Sequence, residues 1–214
     1  MKKYELTEEA KQINLGYRVV TLHRIRATKS FVSVEIGDLG GYVEKEENLS
    51  HEGMAWIYGD AEVCGNASVF GNASVSGNAS VYGDARVSGN AIVYGDARVC
   101  EDAEVYGNAR VYGDASVYGD ARVCGNASVF GNAEVYCTDN VLVIGPIGSR
   151  NGYTTFYRDK DNEIAVKCGC FSGKIDSFLE KVEQQYNEEK HGAVYKAAAN
   201  LAKLQISLNE EEVE

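Results

Sequence analysis

Between Gly59 and Tyr136 the apolar positions recur every six residues, in thirteen consecutive copies of Gly-Asn/Asp-Ala-x-Val-x. The Ala slot is alanine throughout, from Ala61 to Ala133, and the Val slot is valine throughout, from Val63 to Val135. The Gly slot fails once, at Glu101. Degenerate units flank the run: Gly53-Met54-Ala55-Trp56-Ile57-Tyr58 before it and Cys137-Thr138-Asp139-Asn140-Val141-Leu142 after it. A period of six fits neither a helix nor a simple hairpin ladder. Within Ala-x-Val-x the period is two, so Ala and Val share one face of a short strand and the variable residues share the other. Gly-Asn and Gly-Asp tolerate positive φ and so supply a corner. Strand and corner in alternation predict an all-β solenoid with valine in the bore and successive coils about 4.8 Å apart.

Two columns set the number of units per coil. Every third Asn/Asp slot is Asn (Asn72, Asn90, Asn108, Asn126), and the outward column Ser68, Arg86, Glu104, Arg122 places each charge beside its opposite. Both point to a true repeat of 18 residues. Three units per coil make a triangular prism of a little over four coils.

The ends of such a coil expose strand edges and need covering. Residues 1–52 predict a β-rich cap, with strands over Arg18–Arg26 and Phe31–Ile36 and a turn at Gly37–Gly41. After the coil, Tyr153–Tyr157 and Ile164–Cys168 predict a hairpin. Two helices follow. One spans about 174–186, with Ile175, Phe178, Leu179 and Val182 on one face; the other spans about 191–206, with Val194, Ala197, Ala198, Leu201 and Leu204. The expected organisation is therefore a cap over 1–52, the solenoid over 53–145, a hairpin and two-helix module over 146–209, and a frayed acidic tail over 210–214.

The repeat resembles the bacterial hexapeptide-repeat family over roughly residues 53 to 142, which implies a left-handed parallel β-helix; the pattern by itself does not set handedness. The leader, with Gly40-Gly41-Tyr42-Val43, Asn48-Leu49-Ser50, Gly53 and Trp56-Ile57-Tyr58, is similar to that of YdcK-like hexapeptide proteins, which often carry an acyltransferase label. The segment from Ile147-Gly148-Ser149-Arg150 to Cys168-Gly169-Cys170-Phe171-Ser172-Gly173 resembles a module of uncharacterised phage and prophage proteins, implying a bacterial host cell.

Charge narrows the function. A net charge of −11 argues against direct nucleic-acid binding, which needs excess Lys and Arg. No apolar run reaches 18 residues and the N-terminus has no signal-like core, so a cytoplasmic protein without a membrane span is expected. Six cysteines without a disulfide framework agree with a reducing compartment.

Among enzymes, the resemblance implies an acyltransferase that uses acyl-CoA and a coil-borne histidine as general base. The chain holds only His23, His51 and His191, none within the thirteen units, which leaves His51 as the candidate. A three-histidine metal site is absent from the sequence. Cys168 and Cys170 would point to one side of a strand and are the weak metal candidates, with hairpin packing the plainer role.

Sorted by 18, one outward face gathers Trp56, Tyr58, Ile92, Tyr94, Tyr112 and Phe130, with Ser74, Ser76, Arg110 and Ser128 beside them. Stacked rings can stabilise the ladder itself. They are also the residues of protein contacts. The expectation is a non-enzymatic scaffold or interaction module that forms a homo-oligomer, with a trimer favoured, or docks a protein partner. One corner stacks Asp84, Asp102 and Asp120, which reads as turn residues, as an acidic rod mimicking nucleic acid toward a basic host protein, or as carboxylates that capture Ca²⁺.

Overall fold

The computed structural model describes residues 2–16, 18–187 and 189–208, so the acidic tail at 210–214 lies outside the described residues. Three strands open the chain: β1 (Tyr4–Asn14), β2 (Val19–Ala27) and β3 (Leu39–Val43). Fourteen short rungs, from β4 (Trp56–Ile57) to β17 (Glu134–Val135), then wind a parallel solenoid of about five turns. The C-terminal module adds β18 (Val141–Ile147), β19 (Gly152–Arg158), β20 (Ile164–Cys168) and β21 (Phe171–Lys174), then α1 (Ile175–Tyr186) and α2 (Lys190–Gln205). Strand β18 crosses the boundary expected at residue 145.

The coil follows the sequence arithmetic. Ser74 pairs with Ile92, Ile92 with Arg110, and Arg110 with Ser128, each step 18 residues. Every Ala and Val of the thirteen units is at most 2% exposed. The rungs form three sheets. The first face runs β3, then the rungs at 62, 80, 98, 116 and 134; the second holds the rungs at 68, 86, 104 and 122; the third holds those at 56, 74, 92, 110 and 128. At the corner between the second and third faces Asn72 donates to Asn90, Asn90 to Asn108 and Asn108 to Asn126, at 3.1, 3.0 and 3.2 Å. Each amide both donates and accepts, so the ladder satisfies itself. The Glu104 carboxylate lies between Arg86 and Arg122, at 4.0 and 3.6 Å. Corner backbones stack tightly enough that a Cβ on Gly107, whose φ is +73°, would lie 2.9 Å from the Gly125 nitrogen. Glu101 adopts the same left-handed conformation (φ 59°), and its Oε2 accepts the Gly119 amide at 2.8 Å.

The N-terminal cap departs from expectation in three places. Strand β1 continues the first face through β2 and β3, although its sequence alternates poorly and a bulge interrupts its pairing between Leu6 and Ala10. Phe31–Ile36 is no strand; Phe31 and Val34 make one bridge across a tight turn, because β2 already has β1 on one edge and β3 on the other. Gly40 and Gly41 lie within β3 rather than in a turn. A Cβ at Gly40 would stand 2.7 Å from the Ile57 carbonyl oxygen, and one at Gly41 2.5 Å from that of Ala61, so these glycines let the cap approach the first coil.

At the other end β18 to β21 form an antiparallel sheet in chain order, with the expected hairpin extended on both sides. It joins the last coil through the Lys160 amide on the Asn132 carbonyl (3.0 Å) and the Ser128 amide on Thr155 Oγ1 (2.9 Å). Helix α1 buries Ile175, Phe178 and Val182 as expected. Helix α2 is turned from its expected face: Tyr195, Ala198, Ala199 and Ala202 are buried, while Leu201 and Leu204 are exposed. The three small alanines admit close packing of α2, which the leucines would prevent.

Candidate functional site

The ring row on the third face is a consequence of register. Residues 18 apart stand one coil above another, so rings in the same outward slot meet at stacking distance. Tyr94 and Tyr112 stack with centroids 4.7 Å apart and planes 3° from parallel; Tyr112 and Phe130 follow at 5.1 Å and 24°. The row is covered at both ends. Trp56, expected on the open face, is only 1% exposed: the cap lays Tyr4 and Phe31 edge-on against it, at 6.2 and 5.4 Å, and makes it core. Tyr58 and Ile92 are half-buried. Phe130 is met edge-on by Tyr157 of β19 at 6.3 Å, and the Lys167 ammonium of β20 lies 5.2 Å from its centroid.

Between these covers remains a recess of about 370 Å³, lined by Tyr94, Arg110 and Tyr112 from the coil and Tyr153 and Lys167 from the C-terminal sheet, with Asn108 and Asn126 at its side. Tyr94 keeps 36% of its surface exposed. No carboxylate lines the recess, and among the described residues neither Arg110 nor Lys167 has an ion-pair partner. Burial and the neighbouring Tyr94 push the Tyr112 hydroxyl above its usual range. Arg110 was legible in the outward slots. Tyr153 and Lys167 were not, because only the folding of the C-terminal sheet onto the coil brings them there.

The acidic residues occupy a different corner, between the first and second faces. Asp84, Asp102 and Asp120 stack there, all exposed, with the Asn66 amide donating to Asp84 Oδ1 at 3.1 Å. Carboxylates cannot donate to one another, so this column lacks the mutual bonding of the asparagine corner.

His51 belongs to the cap. Its ring stacks on Tyr4 at 4.4 Å, its Nδ1 accepts the Lys3 amide at 3.2 Å, and its Nε2 is buried with no hydrogen bond, 3.7 Å from a Glu46 carboxylate oxygen. A general base must reach a substrate hydroxyl. In this arrangement neither ring nitrogen is open to one.

Cys168 and Cys170 do not share a strand face. Cys168 ends β20, whereas Cys170 lies with Gly169 (φ +57°) in the two-residue turn to β21. The Cys168 sulfur accepts the Thr154 hydroxyl at 3.2 Å. Among the described residues no group of three or more His, Cys, Asp or Glu side chains is placed to hold a metal ion. Cys64 and Cys100, in outward slots of the first face, are buried, and burial pushes the Cys64 thiol up to about 11. Thiolate character is suppressed there.

Among the described residues no helix is long and apolar enough to cross a membrane. No curated protein matches the chain. The YdcK Beta solenoid repeat family matches residues 79–95, 85–101 and 103–119, each window close to one coil. The strict period, the parallel 18-residue register and this match agree: the centre of the chain is a β-solenoid whose repeats are similar to the YdcK type over residues 79–101 and 103–119.

Proposed function

We propose that the protein is a non-enzymatic scaffold that assembles with copies of itself, a cyclic trimer in which the recess of one subunit receives the acidic corner of the next. The supporting observation is the stacked Tyr94–Tyr112 pair, part-exposed beside Arg110 and Lys167 in a recess without a carboxylate. The rings are already ordered by their coil, so a partner that covers them pays little entropy, and Tyr and Arg are the residues that dominate such contacts. Asp84, Asp102 and Asp120 lie on another corner, and a ring of three requires two such different, complementary patches on each subunit. On this reading the coil supplies rigidity rather than chemistry. The resemblance of the C-terminal segment to phage and prophage modules supports a bacterial cytoplasm as the setting.

Light scattering on the full chain tests it. The wild type is expected to run as a trimer, and Tyr94→Glu with Tyr112→Glu to lower the mass to that of one chain. Asp84→Asn, Asp102→Asn and Asp120→Asn together should do the same from the other side of the contact. A monomeric wild type, or an unchanged mass in both variants, overturns the proposal.

A further inference from the structure

A second cavity, which meets the first recess at Tyr153 and Gly169, opens in the C-terminal module between the sheet and α1. Its volume is about 430 Å³, within the usual range for small-molecule sites. Ile147, Phe171, Phe178 and Val182 make its apolar wall, and two cations line it: Arg150 from the β18–β19 turn and Lys181 from α1. No carboxylate is among the lining residues, in a chain with 32 acidic side chains against 21 basic ones. Arg150 and Lys181 have no ion-pair partner among the described residues; the Lys181 ammonium rests 5.0 Å from the Phe171 ring centroid.

The wall is held by its own bonds. The hydroxyls of Ser149 and Tyr186 meet at 2.9 Å, and Thr154 donates to Cys168 Sγ at 3.2 Å. Phe178 packs against Phe156, Phe171 and Tyr195, with centroids 6.0, 5.4 and 5.7 Å away, which orders the aromatic surface before any ligand arrives and lowers the entropy lost on binding. A neutral apolar molecule would leave both cations unused. An inorganic anion would leave the aromatic wall unused. We infer that this cavity binds a small organic anion with an apolar body, its alkyl or aryl part against Phe171, Phe178 and Val182 and its carboxylate on Arg150 and Lys181. The two charged contacts are of the kind that strengthen when partly desolvated.

Gly152 supplies the control. It lies in β19, lines the cavity, has no positive φ, and a Cβ built there meets nothing within 4 Å. A side chain can therefore be started here without a clash at its Cβ, and leucine is chosen to occupy the opening. Calorimetry on the full chain with decanoate, and with decanol as the uncharged counterpart, separates the contributions. Decanoate is expected to bind the wild type. Arg150→Gln with Lys181→Gln should weaken decanoate about tenfold or more, about 1.4 kcal/mol for each factor of ten, and leave decanol unchanged. Gly152→Leu should abolish both while circular dichroism stays that of the wild type. Decanoate that fails to bind, binds Gly152→Leu as well as the wild type, or is indifferent to loss of both cations overturns the inference.

Discussion

The two ends of the solenoid are closed by similar devices that handle buried charge in opposite ways. At each end a short 3-10 turn finishes in a buried asparagine, Asn48 after Glu46 and Asn140 after Thr138. Near the first coil the cap buries the Lys3 side chain, 0% exposed, with its ammonium on the Ala55 carbonyl at 2.7 Å and 5.4 Å from the Phe31 centroid. Among the described residues no carboxylate pairs with it. Near the last coil the C-terminal sheet buries Asp159, 1% exposed, whose Oδ1 accepts the amides of Asp161 and Glu163 and whose Oδ2 meets the Lys174 ammonium at 2.5 Å. Glu163 reaches the same ammonium at 2.5 Å. A paired and hydrogen-bonded charge can be buried without net penalty, whereas a lone one shifts its proton equilibrium instead. The C-terminal closure is therefore expected to depend on its charges, and the N-terminal closure to tolerate the loss of its own.

The largest effect should come from Lys174→Met. It removes the cation from three neighbouring carboxylates, of which Asp159 is buried, and the surrounding charges hold the Lys174 pKa well above its usual range. Breaking a buried pair on one side costs about 3–5 kcal/mol. Lys174 is partly exposed, so about 2–4 kcal/mol is the expected loss after solvent screening. Urea unfolding followed by Tyr fluorescence reads it. A loss below about 1 kcal/mol, the level of a surface pair, removes the contrast between the ends.

That contrast was only partly legible in the sequence. The coil was, because a strict period of six leaves one arrangement that buries Ala and Val together, and because the Asn72–Asn126 and Arg86–Glu104–Arg122 columns fixed three units per turn. The ends were not. Trp56 occupies an outward slot and is core only because Tyr4 and Phe31, far from it in the chain, fold over it. Lys3 and the poorly alternating, charged β1 carry no burial signal, and the four residues from Asp159 to Asn162 read as a polar hairpin loop until Lys174 is placed among them. The binding surface divides the same way: Tyr94, Arg110 and Tyr112 follow from period alone, while Lys167 and Tyr153 depend on docking of the C-terminal sheet.

The two asparagines sharpen the comparison at intermediate size. The Asn48 amide donates to the carbonyls of Gly65 and Ala67, at 3.1 and 2.8 Å, and its Oδ1 accepts the Lys45 amide, so it ties the cap into the next coil. The Asn140 side chain accepts the Tyr136 amide and donates to the Ser207 carbonyl beyond α2, at 3.1 and 3.0 Å. Asn48→Ala leaves buried coil carbonyls without a donor and should lower global stability by about 2–3 kcal/mol. Asn140→Ala frees the chain after α2 and should cost about 1–2 kcal/mol. Hydrogen exchange distinguishes them: protection should fall through the first coils in the former and mainly at the end of α2 in the latter. Identical exchange maps would show that the two turns do the same job.

The smallest effect at neutral pH is expected for Lys3→Met, within about 1 kcal/mol of wild type, because replacing a buried charge by an apolar chain of similar volume is often neutral or stabilising. Its signature lies in pH. Burial first, and then repulsion from Lys29, lower the Lys3 pKa from 10.5 to about 8. Between those values the unfolded chain holds a proton on this side chain that the folded chain has released. Stability from this group therefore rises as the pH climbs from about 8 toward 10.5 and is flat below 8. Cys64, whose thiol is raised from 9.0 to about 11, works in the opposite sense over much of that range, and Tyr4, also raised, opposes it above its ordinary value. Both are present in the variant, so the difference between wild type and Lys3→Met isolates the lysine. That difference should move in favour of the wild type between about pH 8 and 10. A constant difference would mean that the Lys3 ammonium stays charged and satisfied by the Ala55 carbonyl and the Phe31 ring, and that an uncompensated cation can close a β-solenoid as well as a paired anion does.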